Sequence, residues 1–130
     1  MVAEAIGAAW EILLRTITMP ADIDTSGQLP AGWLLARMDL AGSVLPGRHF
    51  GAPVQLIGLQ DVALHGRPRL GQCVIFKGQA VSADAQEVRL HIRAFSEERG
   101  QTGEALLLDA QLRYARATVE VPGNIFPGSF

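Results

Sequence analysis

The stretch LPAGWLLARMDLAGSVLPG, Leu29–Gly47, decides the fold. Helix signals, apolar length and a misplaced charge coincide there. Pro30 suits a first helical turn, where its missing N–H would be an orphan anyway. Pro46-Gly47 closes the run. Between them nearly every residue is apolar, so the spacing predicts one helix that is hydrophobic all round and therefore buried. It nevertheless carries Arg37 and Asp39. Residues two apart on a helix point to different sides, so these two charges cannot pair. Arg37 can run its stem along apolar surface and reach solvent. Asp39 is too short for that, and a carboxylate in a buried helix must be paired, hydrogen-bonded or neutralised. Nothing near it in sequence supplies a partner. The partner is then elsewhere in the fold or is a substrate; otherwise Asp39 lies on an exposed stripe or in a structural ion pair.

On either side of this helix the chain reads as strands. WEILLRTIT (Trp10–Thr18) is rich in strand formers and stops at Met19-Pro20, and ADIDTSGQ forms a polar loop. PVQLIGLQDVALH (Pro53–His65) reads as a long strand whose alternation slips near Gly58, the mark of a bulge. GRPRLG is a loop, and QCVIFKGQAVS (Gln72–Ser82) is a further strand, turned by Ala83-Asp84-Ala85. The last two strands are the clearest. Val88, Leu90, Ile92 and Ala94 alternate with Glu87, Arg89, His91 and Arg93, and Leu106 to Tyr114 alternate with Asp109, Gln111 and Arg113. One apolar and one polar face is the pattern of an antiparallel sheet covered on one side. The loop EERGQTG joins the two. Residues 1–9 read as a short lead-in and residues 122–130 as an irregular Pro/Gly-rich tail. The expected architecture is one α+β domain over 1–130, a long central helix wrapped by a curled antiparallel sheet of about five strands.

Composition narrows the function. The chain has 130 residues, 18% charged, with a net charge of −2. A protein that binds nucleic acid by neutralising phosphates needs a basic surface, which this is not. Cys73 is the single cysteine, so an intrachain disulfide and a cysteine zinc cluster are excluded. No metal is expected. His49, His65 and His91 are scattered without ligand spacing. The N-terminal residues carry Glu4 and Glu11 and no early Lys or Arg, unlike a signal peptide. No apolar run reaches the ~18–20 residues needed to span a bilayer. The expectation is a cytoplasmic protein without a membrane partner.

One segment resembles a known family. Met19-Pro20-Ala21-Asp22, Gly27, and then Ala31-Gly32-Trp33-Leu34-Leu35-Ala36-Arg37-Met38-Asp39 are similar to the signature of the hot-dog-fold acyl-CoA thioesterases, of the bacterial acyl-CoA hydrolase type. Arg67-Pro68 and Gly71 loosely match a later turn of that family. The resemblance implies a hot-dog fold, with Asp39 as the catalytic carboxylate and the Gly32 N–H polarising the thioester carbonyl. It matches Gln28 to a polar residue that would orient the water or the carbonyl. The chain departs from the pattern at Gln28, at Ala31 (for the first glycine of a pair) and at Gln72 (for an acidic residue). The implied reaction is hydrolysis of acyl-CoA to free acid and CoA, with Asp39 as general base or as nucleophile, and without a cofactor.

The implied substrate suggests further roles. Arg48, Arg67 and Arg69, placed on loops near the helix end and strand starts, suit the coenzyme A phosphates. Trp33 is a candidate wall for the acyl tunnel. Gly32 and Asp39 are seven residues apart, and at ~1.5 Å per residue they stand about 10 Å apart along one helix face. One carboxylate cannot serve a carbonyl held at its own helix start from that distance. Two antiparallel helices would bring Asp39 of one chain to Gly32 of another, so a homodimer is expected, and the resemblance implies further assembly into a tetramer or hexamer. Two other readings compete. A hot-dog dehydratase is expected to carry a histidine ahead of the helix, and none precedes His49. A non-catalytic acyl-CoA or lipid-binding hot-dog protein would explain the three departures.

Overall fold

A computed structural model describes residues 9–97 and 103–118. The first eight residues of the expected lead-in over 1–9, the middle of the EERGQTG loop and the tail over 122–130 lie outside the described residues. The elements run β1 (Glu11–Ile17), a short 3-10 turn (Pro20–Asp22), α1 (Ala31–Gly42), α2 (Val44–Phe50), β2 (Val54–Leu64), β3 (Cys73–Ala83), β4 (Val88–Glu97) and β5 (Glu104–Arg116). The strands form one five-stranded antiparallel sheet in the order β1-β3-β4-β5-β2. β1 and β2 are its edges, so the sheet is open at both sides.

The alternating pattern places the core. Val88, Leu90, Ile92 and Ala94 are buried and face Leu108, Ala110, Leu112 and Tyr114 across β4 and β5. The register slips between Ala94 and Phe95, and that irregularity lets Leu107 turn inward beside Leu108. The opposite face carries the charges. Glu87 accepts from Arg89 and Arg113, Lys77 pairs with Glu104, and Asp109 contacts His91 and Arg93. The expected bulge near Gly58 is present as a register shift against β5. A side chain at Gly58 would run into the Arg113 guanidinium 2.7 Å away. A second shift follows at Asp61, whose φ of 52° is left-handed.

The helix departs from expectation in three ways. It begins at Ala31, with Pro30 as its extended N-cap rather than inside the first turn. It does not stop at Pro46-Gly47 but bends at Ser43 and continues to Phe50. Pro46 has no N–H, and its ring crowds the carbonyl four residues back, which breaks a continuous helix just before it. Within the first turn of α2 the same proline costs nothing. Ser43 covers the break, its hydroxyl donating to the Leu40 carbonyl at 2.8 Å. Gly51, at φ 60°, supplies the actual stop.

Nor is the helix buried all round. The sheet covers the face with Trp33, Leu34, Met38 and Ala41. Gly32, Ala36, Asp39 and Leu40 stay exposed, Leu40 to 61%. Five strands packed on one side of a helix leave the other side open, and the apolar composition alone cannot say that.

Candidate active site

Asp39 lies on that open face near the end of α1. Its partner comes from β5. The Tyr114 hydroxyl donates to Asp39 Oδ1 at 2.8 Å and also lies 3.0 Å from the Asp39 main-chain oxygen. Tyr114 is fully buried as a residue. Burial first, and the adjacent Asp39 carboxylate second, hold its phenol well above the ordinary range, so it stays a donor. The hydroxyl reaches Asp39 only because residue 42 is glycine: a Cβ there would stand 2.6 Å from the Tyr114 oxygen. Sequence reading placed Tyr114 merely on the apolar face of β5. The available signal was that a buried tyrosine usually finds a partner for its hydroxyl, while Asp39 lacked one.

The Asp39 carboxylate opens onto a cleft of about 510 Å³ lined by Leu14, Thr16, Ala36, Arg37 and Leu40. Arg37 and Asp39 do not pair, as their spacing requires; the Arg37 guanidinium instead covers the Trp33 ring at 4.3 Å. Trp33 itself is 7% exposed and belongs to the core, its indole N–H without a hydrogen-bond partner among the described residues. It lines none of the clefts described here.

The other site candidates gather at the start of α1. The loop before it is built around Asp24, whose Oδ1 accepts from the Ser26 hydroxyl and from the Ser26 and Gln28 N–H groups. Those bonds, the Ser26 hydroxyl foremost, hold the Asp24 carboxyl below its ordinary range. Gly27 turns the loop at φ 83°. Gln28 emerges with its amide oxygen accepting from Arg67 at 2.8 Å. Gln28, Arg67 and Arg69 share one cleft of about 300 Å³, and Arg67 also lines a neighbouring one with Ala31 and His65. Gly32 follows on the open face, where an added Cβ would meet nothing within 4 Å. As a first-turn residue its N–H has no acceptor inside the helix, and the Trp33 N–H turns back to the Pro30 carbonyl.

Other candidates stand apart. Arg48 is helical rather than on a loop, because the helix runs past Pro46, and it pairs with Glu11 at 3.1 Å on the surface. Gln72 is buried and closes the 66–71 loop, its side-chain oxygen accepting from the Arg69 N–H at 2.6 Å. Thr18 clamps the same loop, donating to the Arg69 carbonyl and accepting from the Gly71 N–H. His49 contacts the Asp84 carbonyl and His91 contacts Asp109. Among the described residues no cluster of His, Cys, Asp and Glu fits a metal ion, and no helix is long and apolar enough to cross a membrane.

This architecture has close counterparts among solved structures. A hexameric thioesterase from Yersinia pestis superposes with a TM-score of 0.77 at 21% identity, over 89% of this chain and 93% of that one. HI0827, a hexameric broad-specificity acyl-coenzyme A thioesterase, gives 0.76 at 19% identity, over 91% and 86%. The chain has the hot-dog fold. Sequence comparison runs the same way. The acyl-CoA thioester hydrolase YciA of Escherichia coli is 26% identical over 122 residues, 90% of this hot-dog chain and 91% of that protein. An uncharacterized acyl-CoA thioester hydrolase of Zymomonas mobilis is 23% identical over 97 residues. That match covers 75% of this chain but only 65% of the relative. An acetyl-coenzyme A thioesterase of Mus musculus, 24% identical over 96 residues, is matched over 17% of its length. No family model matches the chain. The resemblance first carried by residues 19–42 therefore extends over most of the hot-dog domain.

Proposed function

We propose that this chain is an acyl-CoA thioesterase whose site is completed by a second copy. The observation that carries the reading is the placement of Asp39. A carboxylate with a dedicated buried donor faces an open cleft on a helix that has no side-chain cap at its start, where the Gly32 N–H has no acceptor inside the helix. The fold shared with solved thioesterases and the E. coli relative's name support it. So does a neighbour that was solved with an aspartate replaced by alanine.

Within one chain Asp39 and Gly32 line different parts of the open face, separated by two turns of α1. The Gly32, Ala36 and Leu40 ridge of α1 is exposed and apolar, and its four-residue spacing suits an antiparallel copy of the same helix. Pairing the helices about a two-fold axis sets Asp39 of one chain against Gly32 and Gln28 of the other. The neighbours' hexamers are compatible with further assembly of such dimers.

Hydrolysis then follows from the groups at hand. The thioester carbonyl oxygen lies at the helix start, where the Gly32 N–H and the positive end of the dipole stabilise the developing oxyanion. Asp39 takes a proton from water as the oxygen attacks the carbonyl carbon, or attacks that carbon itself to form an anhydride that water opens. The C–S bond breaks and the sulfur leaves as the thiolate, which requires no strong acid. Gln28, oriented by Arg67, positions the water or the carbonyl. Arg67 and Arg69 face the anionic part of the substrate.

The test is thiol release from acyl-CoA esters of short, long and aryl acyl groups, with wild type beside Asp39→Ala and Asp39→Asn. Wild type turns over, and both variants lose at least ~100-fold, the size expected for a general base. A wild-type chain that hydrolyses none of them but is thermally stabilised by acyl-CoA is a binding protein instead.

A further inference from the structure

We propose that Tyr114 is a positioning residue for Asp39, fixing the carboxylate so that one oxygen is committed to the protein and the other is presented to the reacting groups. The inference rests on the thioesterase reading above and adds a residue to its machinery. A carboxylate on an exposed helix face ordinarily swings among rotamers and is solvated on both oxygens. Here one oxygen, Oδ1, is engaged by a hydroxyl carried on a fully buried ring, 75 residues away in sequence. The same hydroxyl lies 3.0 Å from the Asp39 carbonyl, so it fixes the side chain relative to its own backbone.

The surroundings are shaped for this contact. Glycine inside a helix is unfavourable relative to alanine, yet Gly42 sits one turn after Asp39. Any Cβ there would press on the Tyr114 hydroxyl at 2.6 Å and on Leu112 at 2.9 Å. β5 holds the ring in register between Leu56 of β2 and Val88 of β4. The helix thus gives up a side chain where the sheet sends one through. Asp39 lines the cleft, where Arg37 is the one other ionisable side chain among the lining residues.

Tyr114 is the only tyrosine of the chain, so growth on fluorotyrosine alters this hydroxyl alone and makes it a stronger donor while keeping the ring. The experiment compares kcat and KM for wild type, Tyr114→Phe, the fluorotyrosine protein and Asp39→Asn, with thermal unfolding recorded for each. Tyr114→Phe is expected to lower kcat ~10-fold, the loss of one charge-assisted hydrogen bond, with KM little changed. Fluorotyrosine, which keeps the ring and strengthens the donor, also shifts kcat while leaving KM little changed. A purely structural tyrosine would move melting temperature and leave kcat in place. If Tyr114→Phe folds poorly, the fluorotyrosine protein decides. An unchanged kcat in that protein, with Asp39→Asn inactive, overturns the positioning role and leaves the thioesterase reading standing. An Asp39→Asn protein as active as wild type overturns both.

Discussion

Asp39 and Gln28 stand near opposite ends of α1, and different kinds of structure hold them. Asp39 is fixed from within, by a buried ring on the sheet and a glycine that clears its path. Gln28 is fixed from without, by an exposed loop wound on Asp24 and by Arg67. The acidic group depends on a contact sent out from the packed core. The amide depends on surface hydrogen bonds, which open locally at low cost. Under the thioesterase reading, the group that does chemistry is held from the core while the rim that receives the substrate can adapt.

The strongest way to break that comparison is to separate the two ends genetically. Asp39→Ala and Gly32→Val chains, each crippled alone, are unfolded and refolded together. If each site takes Asp39 from one chain and Gly32 from the other, random pairing makes half the dimers mixed. Each mixed dimer has one intact site, and activity recovers to roughly one quarter of wild type by two-fold symmetry. No recovery in the thiol-release assay would confine the site to a single chain.

A smaller effect is expected for Gly32→Ala. Its Cβ enters open space in the single chain, so helix propensity favours it by about 0.5–1 kcal/mol. The same methyl stands where the thioester must approach the N–H, and activity falls, by less than the ~100-fold that losing an oxyanion donor outright costs. Urea unfolding and steady-state assays on one sample read the two signs together. A stabilised protein with full activity would remove the helix start from the site.

The smallest effect belongs to the rim. The fold lowers the Asp24 carboxyl below its ordinary range. Its contribution to stability is therefore full above that ordinary range and fades as pH falls toward the lowered value. Asp24→Asn keeps an acceptor but loses the charge. The melting-temperature gap between wild type and Asp24→Asn is small at pH 7 and closes on acidification toward pH 3. A gap that widens with acid would mean that Asp24 does not organise the loop through its ionised form.

Much of the fold was legible along the chain, and for local reasons. Period-two alternation in β4 and β5 marks faces that a strand must present whatever it packs against. Gly58 flagged its bulge because a broken alternation is visible in one dimension. The loops declared themselves through Pro, Gly and Asp. The helix was harder. Pro46 was read as a stop, but its effect depends on where the helix restarts, and a one-residue bend at Ser43 makes it an acceptable first-turn residue.

Asp39 itself was found in the sequence, because a lone carboxylate in an apolar helix is anomalous wherever the helix lies. Its resemblance to a motif aspartate added a role to that anomaly. Gly32 and Gln28 came from resemblance alone, since neither a glycine in a helix nor a glutamine before one is unusual chemistry. Arg48 resembles Arg67 and Arg69 in the sequence only while Pro46-Gly47 reads as the end of the helix. The continued helix turns it toward Glu11 instead.

The sequence by itself determined a helix with a misplaced acid and an antiparallel sheet with one apolar face. Each of these is a property of neighbours a few residues apart, where periodicity and side-chain type suffice. Only the tertiary structure decided that one face of α1 is open, that Gln72 closes a loop, and that Tyr114 reaches through the gap at Gly42 to hold Asp39. Those are contacts between elements far apart in the chain, and they are set by how the sheet packs on the helix, which no local pattern encodes.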